Sequence, residues 1–197
     1  MKKYELLIIF LLVIFVGIQG TLLVDRLTPP SQNDLITQYY AVASATLDSP
    51  HHIRKALDAG EVDFVLVDVR TEQEYIESHI VGAVNIDASL PKETIISKYL
   101  ELEKAQPDKQ IIIYCYSSAC LTGRKIGNML AQNNIFVKEM SVGWNEWRYD
   151  FNSWNYPNEW ESLDASRYVV SGIEPGEIPP LDDTVVPPCR IDGEFGC

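Results

Sequence analysis

The sequence predicts an α/β domain with a mainly parallel sheet and helices on both faces. Short apolar runs suited to buried strands alternate with segments of helical spacing, and turn residues or acids separate the two kinds of segment. This alternation is typical of parallel strands joined by crossover helices. Ligands of such sheets bind at the carboxyl ends of the strands, so we expect the chemistry of this chain at that edge.

The helices are predicted from caps and from apolar spacing. Ser49 and Pro50 supply an N-cap and a first helical residue, and Gly60 ends the segment that they begin. The predicted helices are 33–44, 51–59, 71–77, 92–102 and 121–132, and the predicted strands are 64–67, 84–86, 110–114 and 136–140. The first of these strands is apolar throughout, which indicates burial on both faces.

The amino terminus carries an apolar run at 6–24, preceded by Lys2 and Lys3. A helix of this length spans about 28 Å, close to the roughly 30 Å hydrocarbon core of a bilayer. We therefore expect a single-pass membrane anchor, with residues 1–5 cytoplasmic and the carboxyl-terminal domain extracytoplasmic, in the periplasm or on the outer surface. A cleaved signal peptide is the alternative, although no A-x-A-like site follows the run.

Charge divides the rest of the chain. The whole sequence has 28 acidic and 16 basic residues, a balance that argues against a nucleic-acid partner. Acidic residues and prolines concentrate near the carboxyl end. We predict a linker with a short helix at 25–47, a domain at 48–158 and an acidic, proline-rich tail at 159–197. Cys189 and Cys197 are candidates for a local disulfide in that tail.

Cys115 follows the predicted strand at 110–114, six residues before a predicted helix. The backbone N–H groups and the positive helix end at such a junction stabilise an anion and lower the pKa of a thiol. We therefore predict a nucleophilic Cys115 in an anion-binding loop, with a buried inert cysteine as the alternative. The loop consists of Tyr116, Ser117, Ser118, Ala119, Cys120 and Leu121. Lys109, Arg124 and Lys125 flank this segment in sequence and predict a basic edge around the thiol.

Three motifs in register resemble the rhodanese family. They are Asp68-Val69-Arg70 followed by Glu74-Tyr75 and the segment 79–86, then Ile111-Ile112-Ile113-Tyr114-Cys115, and finally Gly143-x-x-x-Trp147. The resemblance covers roughly residues 48–158 and implies a rhodanese-like parallel sheet. It also implies a sulfurtransferase without a cofactor, in which Cys115 takes sulfur from a small anionic donor such as thiosulfate. The resulting persulfide passes its outer sulfur to a thiol or cyanide-like acceptor.

The resemblance also suggests supporting residues. Asp68 and Arg70 are expected to form a buried polar pair, with Arg70 alternatively facing an anion, and His79 is expected to be structural, with proton transfer as its alternative. Arg124 comes nine residues after Cys115 and is a possible contributor to the loop. Because no arginine lies closer behind the cysteine, the second hypothesis is a non-catalytic rhodanese module that binds a partner or carries sulfur. The His51–His52 pair has no third ligand nearby, so no metal site is expected.

Cys120 gives the loop a C-x4-C spacing that leaves three interpretations open. Cys120 attacks a persulfide on Cys115, forming a disulfide and releasing sulfide, or it forms a reversible disulfide that guards the nucleophile. In the third interpretation Cys120 only packs at the helix start. A thiol–disulfide redox protein that uses Cys115 and Cys120 is therefore a further hypothesis.

Overall fold

A computed structural model describes residues 3–154 and 165–177, without the side chains of residues 3 and 21–27. The predicted Cys189–Cys197 disulfide lies outside the described residues. The chain divides into two compact units, Met1–Ala43 and Ser44–Cys197. The second unit contains the sheet and the candidate site.

Helix α1, Lys3–Leu27, contains the apolar run, and helix α2, Gln32–Thr46, follows it. Within residues 3–154 and 165–177, no helix is both long and apolar enough to cross a membrane. The predictions of an anchor at 6–24, of the membrane as a partner and of an extracytoplasmic domain are therefore wrong.

In the part of the chain that the structure describes, five parallel strands form the main sheet in the order β1-β6-β5-β2-β4. Their bounds are β1 Leu47–Asp48, β2 Phe64–Asp68, β4 Val84–Asn85, β5 Gln110–Tyr114 and β6 Val137–Met140. The central strands β2 and β5 pair along their full length, with Leu66 opposite Ile112. The four predicted strands all form.

Helices cover the sheet on two sides. They are α3 Pro50–Ala59, α4 Glu72–Glu77, α5 Lys92–Ala105, α6 Thr122–Ala131 and α7 Trp144–Tyr149. Leu66 and Ile112 join an apolar cluster with residues of α3 and α7, whereas Val67 and Ile113 join one with residues of α5 and α6. Alternate residues of a strand point to opposite faces, so both faces are buried. The predicted α/β class, with a parallel sheet and helices on both faces, is confirmed.

The predicted start and end of α3 are also confirmed. The Ser49 hydroxyl accepts a hydrogen bond from the His51 N–H at 3.2 Å, and Pro50 begins the helix. Gly60 has a φ of 71° and donates its N–H to carbonyls of the last turn. A residue without a Cβ adopts this left-handed conformation at little steric cost.

A short antiparallel pair of strands lies partly outside the predicted domain at 48–158. Strand β3, His79–Ile80, pairs with β7, Val169–Val170, in the segment assigned from sequence to the tail. Tyr168 is fully buried next to this strand, and its hydroxyl donates to Asp58 Oδ1 at 2.9 Å. Residues 165–177 therefore pack on the domain, although two-residue strands leave no periodic signal in a sequence.

Candidate active site

Cys115 lies immediately after β5, at the carboxyl edge of the central part of the sheet, and is 8% exposed. The start of α7 holds the segment that follows. The Trp144 N–H donates to the Cys115 carbonyl at 2.9 Å, and the Asn145 N–H donates to the Tyr116 carbonyl at 2.8 Å. The predicted loop is thus attached to β5 at one end and to α7 along its backbone.

Gly143 permits this close approach between α7 and the loop. A Cβ at this position would overlap the backbone of Ser117. Its φ is −104°, a value open to any residue, so the contact alone requires glycine here. The resemblance to the rhodanese glycine–tryptophan turn therefore has a physical basis in this chain.

Glu146 connects α7 to the loop through its carboxylate. Its oxygens accept hydrogen bonds from the Ser118 N–H at 3.2 Å, the Ser118 hydroxyl at 2.9 Å and the Gly143 N–H at 2.9 Å. Burial raises the pKa of Glu146, but these hydrogen bonds together hold it below the ordinary value. A carboxylate of the protein thus already occupies one of the loop amides that was predicted to bind an anion.

Cys115 and Cys120 form a disulfide, with their Cα atoms 6.4 Å apart. The Cys120 N–H donates to the Ser117 carbonyl at 2.9 Å, which closes the loop into a tight turn. The two sulfurs therefore meet within the loop between β5 and α6. In this oxidised form the Cys115 sulfur is not available as a nucleophile, and a reductant must open the bond first.

A small cavity of about 60 Å³ adjoins Cys115. Its lining consists of Leu47, Cys115, Ser117, Ser118, Arg124, Glu139, Met140, Ser141 and Val142. Arg124 Nε lies 3.3 Å from Glu139 Oε2 across this cavity wall. Burial raises the pKa of Glu139, and the Arg124 guanidinium opposes that rise.

The described residues around the thiol do not form the expected basic edge. Glu139 from β6 and Glu146 from α7 both lie beside the loop, and Arg124 is paired with Glu139. Lys109 precedes β5 and so lies at the other end of that strand, about 20 Å from Cys115 at roughly 3.3 Å per residue. Three basic residues flank the segment around Cys115 in sequence, but the carboxylates beside the loop come from other elements of the fold.

Asp68 and Arg70 form the predicted buried pair. Arg70 Nη2 lies 2.6 Å from Asp68 Oδ2 and also donates to the Ser78 carbonyl at 2.8 Å. The Tyr114 hydroxyl donates to the same Asp68 oxygen at 2.7 Å. Burial lowers the pKa of Arg70, but the Asp68 carboxylate more than offsets this and holds the pKa above its ordinary value. The guanidinium lies 4.4 Å from the Trp144 ring, so it supports the start of α7.

His79 is buried away from the Cys115 cavity. Its Nδ1 lies 2.8 Å from the Tyr75 carbonyl oxygen, and its Nε2 lies 3.1 Å from the Glu174 carbonyl oxygen. The imidazole also stacks on the Tyr75 ring at 3.7 Å. These contacts join α4 to the segment 165–177, which fits the structural role expected of this histidine.

Three residues that contribute to this edge of the sheet were not identified from the sequence. Glu146 stands three residues after Gly143, and a glutamate at this position of a helix start is a recognisable capping pattern. Asn85, at the end of β4, donates to the carbonyls of Asp68 and Arg70 at 2.9 Å each. Glu139 carries no local signal, since only the pairing of β6 with β5 brings it to Cys115.

Cys115 follows a central parallel strand, and its loop is bonded to α7 and leads into α6. This arrangement defines a thiol-centred site in an α/β domain. Residues 49–150 match the family of rhodanese-like domains, and the chain belongs to that family. The HTH-type transcriptional regulator Rv0324 of Mycobacterium tuberculosis is 33% identical to this chain over 115 residues. The match covers 55% of this chain and 47% of the regulator, so the chain spans about half the length of that curated relative.

Similar solved structures include the BH2092 protein from Bacillus halodurans, with 24% identity and a TM-score of 0.49 over 61% of this chain and 83% of that one. The thiosulfate sulfurtransferase from Pseudomonas aeruginosa has 22% identity and a TM-score of 0.41, over 53% of this chain and 19% of that one. The human single-domain sulfurtransferase TSTD1 has 19% identity and a TM-score of 0.42, over 52% of this chain and 95% of that one.

Proposed function

We propose that this chain is a sulfurtransferase of rhodanese type in which Cys115 carries the transferred sulfur. The observation that supports it most is the position of Cys115, directly after the central strand β5 and beside a cavity of about 60 Å³. The loop holds the Cys120 sulfur against the Cys115 Sγ, and a persulfide places its second sulfur on that same Cys115 atom once the disulfide is open. The family of rhodanese-like domains supports the same assignment.

The proposed reaction has two displacements. The Cys115 thiolate attacks the sulfane sulfur of a donor, and the sulfur–sulfur bond of the donor breaks as its other half leaves with the electron pair. A thiolate or cyanide acceptor then attacks the outer sulfur of the persulfide, and the Cys115 thiolate leaves. The start of α6 lies at the end of the loop, and its partial positive charge favours the anionic forms of Cys115.

The test is the mass of the reduced chain after contact with a sulfur donor. The disulfide is first opened with a dithiol, the dithiol is removed, and the protein is incubated with thiosulfate or with a small persulfide. We expect a gain of one sulfur atom that cyanide removes and that Cys115→Ser lacks, whereas Cys120→Ser retains it. Absence of the gain with every donor would contradict the proposal.

A second candidate is a thiol–disulfide redox protein or a non-catalytic rhodanese module, which the Cys115–Cys120 disulfide favours. The curated relative is named as a transcriptional regulator, and a module that holds a redox state fits such a name. This candidate predicts reversible gain of two hydrogens by the oxidised chain on treatment with a dithiol. It also predicts that no donor adds sulfur to the reduced chain.

A further inference from the structure

An acid and a base line one wall of the cavity beside Cys115. Glu139 extends from β6 and Arg124 from the first turn of α6, with 3.3 Å between the nearest nitrogen and oxygen. The Glu139 side chain is 19% exposed, whereas that of Arg124 is 61% exposed. The cation that an anionic donor would meet at this wall is therefore already paired with a carboxylate of the protein.

Gly123 gives that carboxylate its position. A Cβ at Gly123 would lie 2.7 Å from Glu139 Oε1, so the acid rests directly against the first turn of α6. Helix amino termini attract anions because their N–H groups carry a partial positive charge. Glu139 thus occupies space at the helix end that was expected to attract the donor.

Glu146 has the same effect on the other flank of the loop. Its carboxylate takes the N–H and the hydroxyl of Ser118, which also lines the cavity. Two carboxylates and one guanidinium therefore have described contacts to the loop or the cavity wall, a balance of one negative charge. A donor with two negative charges is repelled at such a site, while a donor of lower charge is affected less.

We propose that Glu139 is a specificity-determining residue, which neutralises Arg124 and directs the site toward persulfide donors of low charge in place of dianionic thiosulfate. This inference rests on the proposed function and names the substrate class of the same site. It concerns the choice of donor alone, since the displacements at Cys115 are unchanged.

The experiment compares two donors in the reduced full chain carrying Cys120→Ser, so that the acquired sulfur stays on Cys115. Intact mass over time gives the second-order rate of sulfur loading from thiosulfate and from cysteine persulfide, which carries one net negative charge. Glu139→Gln removes one charge and frees Arg124. We expect the thiosulfate-to-persulfide rate ratio to rise about threefold, because one charge about 6 Å away through water changes the rate of a dianion about tenfold and that of a monoanion about threefold.

Two further variants make the result specific. Glu101→Gln, on α5, changes the net charge equally. Because Glu101 is exposed and its carboxylate accepts a hydrogen bond from the Ser97 hydroxyl, away from the described lining of the cavity, the ratio should stay within twofold of the starting chain. Arg124→Gln added to Glu139→Gln should abolish the gain, because the freed guanidinium would be gone.

The outcomes separate this inference from the function on which it rests. Persulfide loading with an unchanged ratio in Glu139→Gln would overturn the role of Glu139 and leave the sulfurtransferase intact. An equal rise in Glu101→Gln would overturn it as well, since the effect would then follow net charge. Failure of both donors to load any variant would overturn the sulfurtransferase itself.

Discussion

Replacing Gly143 by alanine should force the Cys115 loop away from helix α7. The new Cβ would overlap the backbone of Ser117, which cannot move aside as the end of a flexible side chain does. The two backbones must therefore separate. Separation stretches the hydrogen bonds from the Trp144 and Asn145 N–H groups to the loop carbonyls, now 2.9 and 2.8 Å long.

The size of the effect follows from these two losses. Overpacking a tight contact typically costs about 1–3 kcal/mol. Each weakened backbone hydrogen bond adds roughly 0.5–1.5 kcal/mol. We therefore expect Gly143→Ala to lower the free energy of unfolding by roughly 2–6 kcal/mol.

Urea unfolding followed by tryptophan fluorescence measures this change, because Trp144 and Trp147 are buried at the same contact. Gly127→Ala is the matched control. Its Cβ would lie 3.7 Å from Val137 Cγ2, an ordinary contact, and the residue is inside helix α6. Alanine there should stabilise the chain by about 0.5–1 kcal/mol. A Gly143→Ala variant as stable as the unsubstituted chain would refute the close-contact reasoning.

Three other substitutions test the supporting contacts by urea unfolding. Asp68→Ala strands the buried Arg70 guanidinium and should cost about 3–5 kcal/mol; a loss below about 1 kcal/mol would contradict a buried pair. Tyr168→Phe removes the hydrogen bond to Asp58 and should lower the free energy of unfolding by about 1 kcal/mol. An unchanged free energy of unfolding would contradict the packing of segment 165–177 on the domain. The pKa of Glu146 is lower in the folded chain than its unfolded value near 4.5, so the ionised carboxylate stabilises the fold above pH 4.5 and this contribution is lost as the pH falls through the folded-state pKa. Glu146→Gln should therefore flatten the fall in stability at acid pH. An unchanged dependence of stability on pH would contradict this role of Glu146.

Local patterns in the sequence determined much of the domain. Apolar runs placed the four main strands, and the Ser49, Pro50 and Gly60 signals placed α3, because strand burial and helix caps depend on residues close in sequence. The position of Cys115 after β5 was predictable for the same reason. Apolar composition alone did not correctly predict the role of the amino-terminal run, because the prediction that it spans a membrane was wrong.

Only the tertiary structure decided the surroundings of the thiol. Glu139 and Glu146 follow Cys115 by more than twenty residues and reach it because parallel strands end at one edge of the sheet. The segment 165–177 likewise returns to pair with His79 and Ile80 over a strand too short to leave a pattern. The sequence by itself thus determined which atom is the candidate nucleophile. Long-range strand pairing decided the charge around it, because electrostatic interactions depend on distance in space and not on separation along the chain.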